Sequence, residues 1–238
     1  MPNSVYTALT RQQGLAHELQ VVANNLANAS TTGYKSDRAI FAEFLVDTGT
    51  SADESISMGR LAGHSFQMEQ GGLNFTGGPL DLAIQGDGFF QVDAPQGQRL
   101  TRAGHFLISP DGVLIDNQGN AVLSTGGNPI ILPADAGDIK IGSDGSISAN
   151  GQLLDQISIV VPQGPLQRDS NTYFSTAAQT ELAQGANVVQ GALEQSNVLP
   201  VLEMARMIEV QRAYEAGQAM MDREDERIGQ LINSLRER

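Results

Sequence analysis

The sequence predicts a mixed, mainly β fold: a central all-β domain with an α-helix at each end. Three observations carry this. Apolar residues recur at helical steps near both ends, alternate at period two in the middle, and the middle is punctuated by Asp-Gly and Asn-Gly dipeptides. Composition agrees, since 26 glycines and no Trp among 238 residues favour turn-rich β-structure over large aromatic cores.

Taken in order, Val5, Leu9, Leu15, Leu19, Val22 and Leu26 fall mostly three and four apart, with Gln12 interrupting the stripe. This spacing predicts an amphipathic helix within residues 1–35, stopped by Ser30-Thr31-Thr32-Gly33, where β-branched residues and then glycine disfavour continuation. Asn24, Asn25 and Asn28 are expected near its apolar seam, where polar residues fix register at some cost in stability. Residues 36–75 show no sustained period and are expected to connect the helix to the β-domain.

Residues 76–190 are expected to form that domain. Leu80-Asp81-Leu82-Ala83-Ile84, Ile139-Lys140-Ile141 and Ile157-Ser158-Ile159 read as short strands. Asp87-Gly88, Asp111-Gly112, Asp144-Gly145 and Asn150-Gly151 read as hairpin turns, because such dipeptides supply the positive φ that tight hairpins need. The run from Asp111 to Gly119 resembles that from Asp144 to Gly151, which predicts two similar hairpins in one sheet system.

Residues 191–238 carry the strongest pattern. Met207, Val210, Tyr214, Gly217, Met221, Glu224, Ile228, Leu231 and Leu235 alternate steps of three and four, a heptad seam broken only by Gly217 and Glu224. Pro200 suits the first turn of this helix. Placed at the two ends of an acidic chain, the stripes are expected to pack between subunits, through Val5, Leu9, Leu19, Val22, Asn24, Asn25, Leu26, Asn28, Met207, Val210, Tyr214, Met221, Ile228, Leu231 and Leu235; the alternative is that both helices pack on the β-domain or on each other within one subunit.

Charge and residue usage exclude several functions. Lys plus Arg number 14 against 27 Asp plus Glu, a formal charge of -13, which repels nucleic acid and acidic membranes and points to proteins or cations as partners. With no cysteine, disulfides, thiolate metal sites and thiol nucleophiles are absent. No basic region followed by an apolar run opens the chain, and no apolar run is long enough for a membrane span. Sec-type exit and membrane insertion are therefore not expected.

Catalytic and ligand readings are weak. His17, His64 and His105 lack metal-ligand spacing. Gly86-Asp87-Gly88 is followed by neither phosphate-loop pattern and is expected to be a hairpin turn. Asp81, Asp87 and Asp93 are expected at exposed strand and turn positions. The run Asp222-Arg223-Glu224-Asp225-Glu226-Arg227 reads as a solvated helix face with mixed-sign pairs. No catalytic residue, cofactor or metal site is assigned. A secreted β-rich binding module dimerised by its helices is the rival from another class, and a carboxylate-pair hydrolase a third reading.

Several runs resemble one family. Ala23-Asn24-Asn25-Leu26-Ala27-Asn28-Ala29-Ser30-Thr31-Thr32-Gly33-Tyr34-Lys35 is similar to ANNLAN followed by T-x-G-[FY]-K. Gly78 to Phe90, Thr101-Arg102-Ala103-Gly104-His105-Phe106, Leu193 to Val198 and Met207 to Ala216 continue the likeness in order. Together they resemble the flagellar axial proteins, which include rod and hook subunits. Within that family, the opening from Asn3 to Leu9 and the modest length look most like a proximal-rod subunit, with a distal-rod subunit the runner-up. The resemblance implies terminal helices paired in an inner tube domain with the β-domain outside. It implies a structural rod subunit that transmits torque and encloses the export channel. It further implies assembly with itself and other rod proteins in the periplasmic space, after passage through the flagellar type III export apparatus without a cleaved signal peptide. No cofactor is implied.

Overall fold

The computed structural model describes residues 2–47, 55–133 and 137–236. The chain falls into two compact units, each built from separated stretches. One comprises Met1–Ala27, Asp37–Gln67 and Leu199–Arg238, the other Asn28–Ser36 and Met68–Val198.

The first unit holds helix α1 (Pro2–Ala27), strands β1 (Asp37–Asp47) and β2 (Ser55–Phe66), and helix α2 (Pro200–Arg236). Both helices open on proline, whose fixed φ suits the first helical position and whose missing N–H is not needed there. In α2, the Leu199 carbonyl accepts from the N–H groups of Leu202 and Glu203, Glu203 lies in the first turn and Arg236 in the last, an order that complements the helix dipole. Residues 36–75, expected as a connector, contain the antiparallel hairpin β1–β2, bulged between Ile40 and Phe41. The Phe41 ring lies against Gly14 of α1.

The second unit is all β. Its strands are β3 (Leu73–Phe75), β4 (Leu82–Gln85), β5 (Phe89–Ala94), β6 (Gly97–Thr101), β7 (Phe106–Ile108), β8 (Leu114–Asp116), β9 (Ala121–Val122), β10 (Ile139–Ile141), β11 (Ser146–Ala149), β12 (Gln152–Gln156), β13 (Ile159–Pro162), β14 (Leu166–Arg168), β15 (Tyr173–Thr176), β16 (Thr180–Leu182), β17 (Asn187–Gln190) and β18 (Ala192–Glu194). Most join one antiparallel sheet with the path β14-β15-β6-β5-β9-β8-β7, to which β13 and β16 are added through β5. β10, β11 and β12 form a separate meander, while β17 pairs with β4 and β18 with β3. The core gathers Leu82, Ile84, Phe90, Phe106, Leu114 and Ile147 with their neighbours, and Phe90 meets Phe106 edge to face at 5.2 Å. Each such apolar side chain contributes about 1.5–3 kcal/mol by leaving water.

The turn dipeptides divide. Asp111-Gly112, Asp144-Gly145 and Asn150-Gly151 do close hairpins, β7–β8, β10–β11 and β11–β12. Asn150 (φ 52°) and Gly151 (φ 81°) are both left-handed, as a type I′ turn requires. Asp87-Gly88 does not: β4 and β5 pair with different partners, so this turn carries the chain from one sheet to another. The two similar hairpins lie in two sheets rather than in one system, because β8 belongs to the large sheet and β11 to the meander.

Candidate assembly faces and a buried charge cluster

In the first unit α1 and α2 pack side by side. Gln12 Nε2 donates to the Tyr214 carbonyl at 2.8 Å, and Arg206 Nη2 reaches Glu18 Oε1 at 2.8 Å, so the helices run antiparallel. Val22, Val210 and Gln12 are buried, whereas Leu19, Leu26, Met207, Tyr214 and Met221 are half-buried. Leu9 is exposed, as are Ile228 (43%) and Leu235 (73%). The side chains of Val5 and Leu231 lie outside the described residues.

The stripe of α2 is thus covered around Val210 and bare toward Leu235. A second apolar set, Val201, Leu202, Met204 and Ile208, is exposed near its start. A charged pair lies toward the far end, where Arg227 Nη2 meets Glu224 Oε2 at 2.6 Å within the mixed-sign run.

The asparagines are occupied locally. Asn25 is buried and its amide pairs with the backbone of Asp37 in both directions at 2.9 Å, tying the end of α1 to the start of β1. Asn28 is buried where the chain turns, its carbonyl and side-chain oxygen both accepting from Thr31 at 3.1 Å. Asn24 is exposed.

The second unit contains a feature that periodicity did not predict. Lys35 (1% exposed) and Glu194 (0%) form an ion pair at 2.6 Å, and Arg102 Nη1 reaches the other carboxylate oxygen at 3.1 Å. Lys35 Nζ also donates to the carbonyls of Met68 and Glu69, and Arg102 Nη2 to that of Gly86. The N–H of Gly71 completes the shell of Glu194 at 3.1 Å. Burial pushes the Lys35 ammonium below the ordinary lysine pKa, opposed by the hydrogen bond and charge of Glu194 and reinforced by Arg102.

Neighbouring contacts hold this centre in place. Gly33 donates its N–H to the Glu194 carbonyl, and Ser36 donates to Asn197 Oδ1 at 2.7 Å. Arg168 stacks over Tyr34 with 4.4 Å to the ring centroid and donates to the Lys35 carbonyl. Gly33 is left-handed (φ 70°), and a Cβ there would lie 2.2 Å from the Ala103 nitrogen, so the close approach of these segments needs glycine.

His105, His64 and Asp81 make local structural contacts. His105 Nδ1 and Thr76 Oγ1 both bond the Asp81 carboxylate. Asp81 is buried rather than exposed, because its carboxylate ties the turn after β3 to the bridge it forms with His105; Asp87 and Asp93 are exposed. Burial alone would raise the Asp81 pKa, but these hydrogen bonds and the His105 charge outweigh it and the net shift is downward. His64 bonds Asp37 at 2.9 Å. Among the described residues no cluster of three His or acidic side chains could hold a metal ion, and no helix is long and apolar enough to cross a membrane.

Comparison with known proteins follows the same three segments. Residues 5–35 match the model "Flagella basal body rod protein", residues 83–149 "Flagellar hook protein FlgE/F/G D1 domain", and residues 189–235 "Flagellar basal body rod FlgEFG protein C-terminal". The chain is 37% identical over 228 residues to the flagellar basal-body rod protein FlgF of Caulobacter vibrioides, covering 93% of each chain. It is 38% identical to FlgF of Mesorhizobium japonicum (93% and 92% covered) and 31% identical to the rod protein FlgG of Bacillus subtilis (99% and 100%). The chain belongs to the flagellar basal-body rod protein family.

Of these three relatives the two FlgF chains are the more similar, so the FlgF likeness is better supported than the FlgG one. Like its relatives, the chain is a structural rod subunit of the basal body and not an enzyme. The buried cluster acquires a clear position in this rod protein. Lys35 comes from the first matched segment, Arg102 from the second and Glu194 from the third. The three segments that define the family therefore meet at one carboxylate. A lysine following an aromatic residue has no periodic signature, so only the motif TTGYK itself marked Lys35 in the sequence.

Proposed function

We propose that this rod subunit assembles through α1 and α2, which form a coiled-coil-like inner domain and pack against the same helices of neighbouring subunits. The observation that carries the reading is the pair of apolar sets on α2 that α1 leaves bare, Val201 to Ile208 and Ile228 to Leu235. Exposed apolar residues recurring at seam spacing on a long helix fit helix-on-helix association. Repeated, non-closing contacts of this kind generate a filament. The subunit then transmits torque and encloses the export channel, in contact with itself and other rod proteins. Leaving the cell through the flagellar type III apparatus without a cleaved signal peptide, and assembly in the periplasmic space, complete the reading; the family likeness supports both. Val5, Leu9, Leu19, Val22, Leu26, Met207, Val210, Tyr214, Met221, Ile228, Leu231 and Leu235 are its apolar contacts, with Asn24, Asn25 and Asn28 beside them.

Ile228→Asp tests it. In the monomer Ile228 is exposed, so the melting temperature should not change; in a packed rod an unpaired charge would cost roughly 3–5 kcal/mol. Expected are normal expression, an unaltered monomer, failed incorporation into basal bodies and lost motility, with Arg236→Asp tolerated. Normal swimming of Ile228→Asp would refute the assembly role of α2.

A further inference from the structure

We infer that Gln12 and Gly217 form a key that sets the register of α1 against α2. Each is an anomaly on its own helix. Gln12 puts an amide in the apolar stripe of α1, and Gly217 puts the poorest helix former but proline in the heptad seam of α2. The structure places the two anomalies against each other.

The Gln12 side chain is buried, with 6% of its surface exposed, and its Nε2 donates to the Tyr214 carbonyl, one turn before Gly217. A Cβ at position 217 would lie 2.4 Å from that same Nε2. The gap left by the glycine is therefore the space the amide occupies. Only the Nε2 end can face Tyr214, because a backbone carbonyl accepts and does not donate.

Register needs such a device here. A seam of apolar residues at steps of three and four repeats every seven residues, so a slip of one heptad would restore much of the same packing. The amide N–H finds this carbonyl beside this gap in a single register; slipped, it would be buried against side chains without that acceptor. The key thereby fixes which part of α2 remains bare. This inference rests on the assembly role of the terminal helices for its importance, but not for its geometry.

The absence of native cysteine permits a direct test in the full chain. Leu15 and Ala213 line both grooves along the helix pair, whereas Ala8, one heptad before Leu15, lines only the first of them. Two double variants, Leu15→Cys with Ala213→Cys and Ala8→Cys with Ala213→Cys, are treated with a short bifunctional thiol reagent. The first should cross-link and the second should not. Adding Gln12→Leu or Gly217→Ala, which hydropathy and helix propensity respectively would favour, should lower the ratio of native to slipped cross-link at least tenfold. An unchanged ratio overturns the key. So does loss of the native cross-link with no gain of the slipped one, which marks a packing role alone, and so does a parent chain that shows no preference for the native pair. Failure here leaves the Ile228→Asp result untouched, and normal swimming of Ile228→Asp leaves the cross-link ratio untouched, so the two readings fall separately.

Discussion

Glu194 carries two cations inside the β unit, and this asymmetry makes the cluster testable one residue at a time. Glu194→Gln leaves Lys35 and Arg102 buried without a counter-charge, and uncompensated buried charge is the costly case, about 3–5 kcal/mol. Lys35→Met removes one cation and leaves the Arg102–Glu194 pair intact, so it should cost less, although the carbonyls of Met68 and Glu69 lose a donor. Urea unfolding of both variants measures the difference. Equal costs would mean that packing, and not charge balance, holds the cluster. Neither the ion pairs nor their order of cost could be read from the sequence, because Lys35, Arg102 and Glu194 are separated by long stretches of chain and share no period.

The elements themselves were legible wherever a local rule decided them. The steps of three and four foretold α1 and α2, and Asn150-Gly151 foretold the β11–β12 hairpin, since two successive left-handed residues admit few side chains. Gly151→Val should accordingly cost about 1–3 kcal/mol, while Asn150→Gly should stay within about 0.5 kcal/mol; thermal melts of the two variants check this. A Gly151→Val protein as stable as its parent would show that the turn relaxes. Where pairing is set at a distance, the same rules fell short. Gly86-Asp87-Gly88 looks like the hairpin dipeptides but joins strands of different sheets, because β4 finds its partner in β17, across most of the β-domain in sequence. The hairpin β1–β2 was missed because Asp37-Arg38-Ala39-Ile40-Phe41-Ala42-Glu43-Phe44 does not alternate cleanly and its bulge breaks the period further.

At the scale of the whole molecule, the chain crosses between its two units more often than a linear division at residues 35, 75 and 190 expects. The short segment Asn28–Ser36 belongs with the β unit although helix and hairpin flank it on either side. Brief proteolysis should therefore cut within the terminal helices and the 37–67 region yet leave residues 28–36 bound to the 68–198 fragment, held by Lys35, Gly33 and Ser36. Mass spectrometry of the resistant species under native and denaturing separation reads this. Loss of the 28–36 peptide before denaturation would contradict it. The same clamp has a mechanical meaning. Residues 33–36 and 194–197 lie side by side, cross-bonded by backbone and by a buried salt bridge, so the segment that follows α1 and the segment that precedes α2 are tied together within the β unit. Bonds that lie across neighbouring segments are loaded together in shear when those segments are pulled apart along their length, instead of being peeled open one after another, and the proposed transmission of torque would draw on that stiffness.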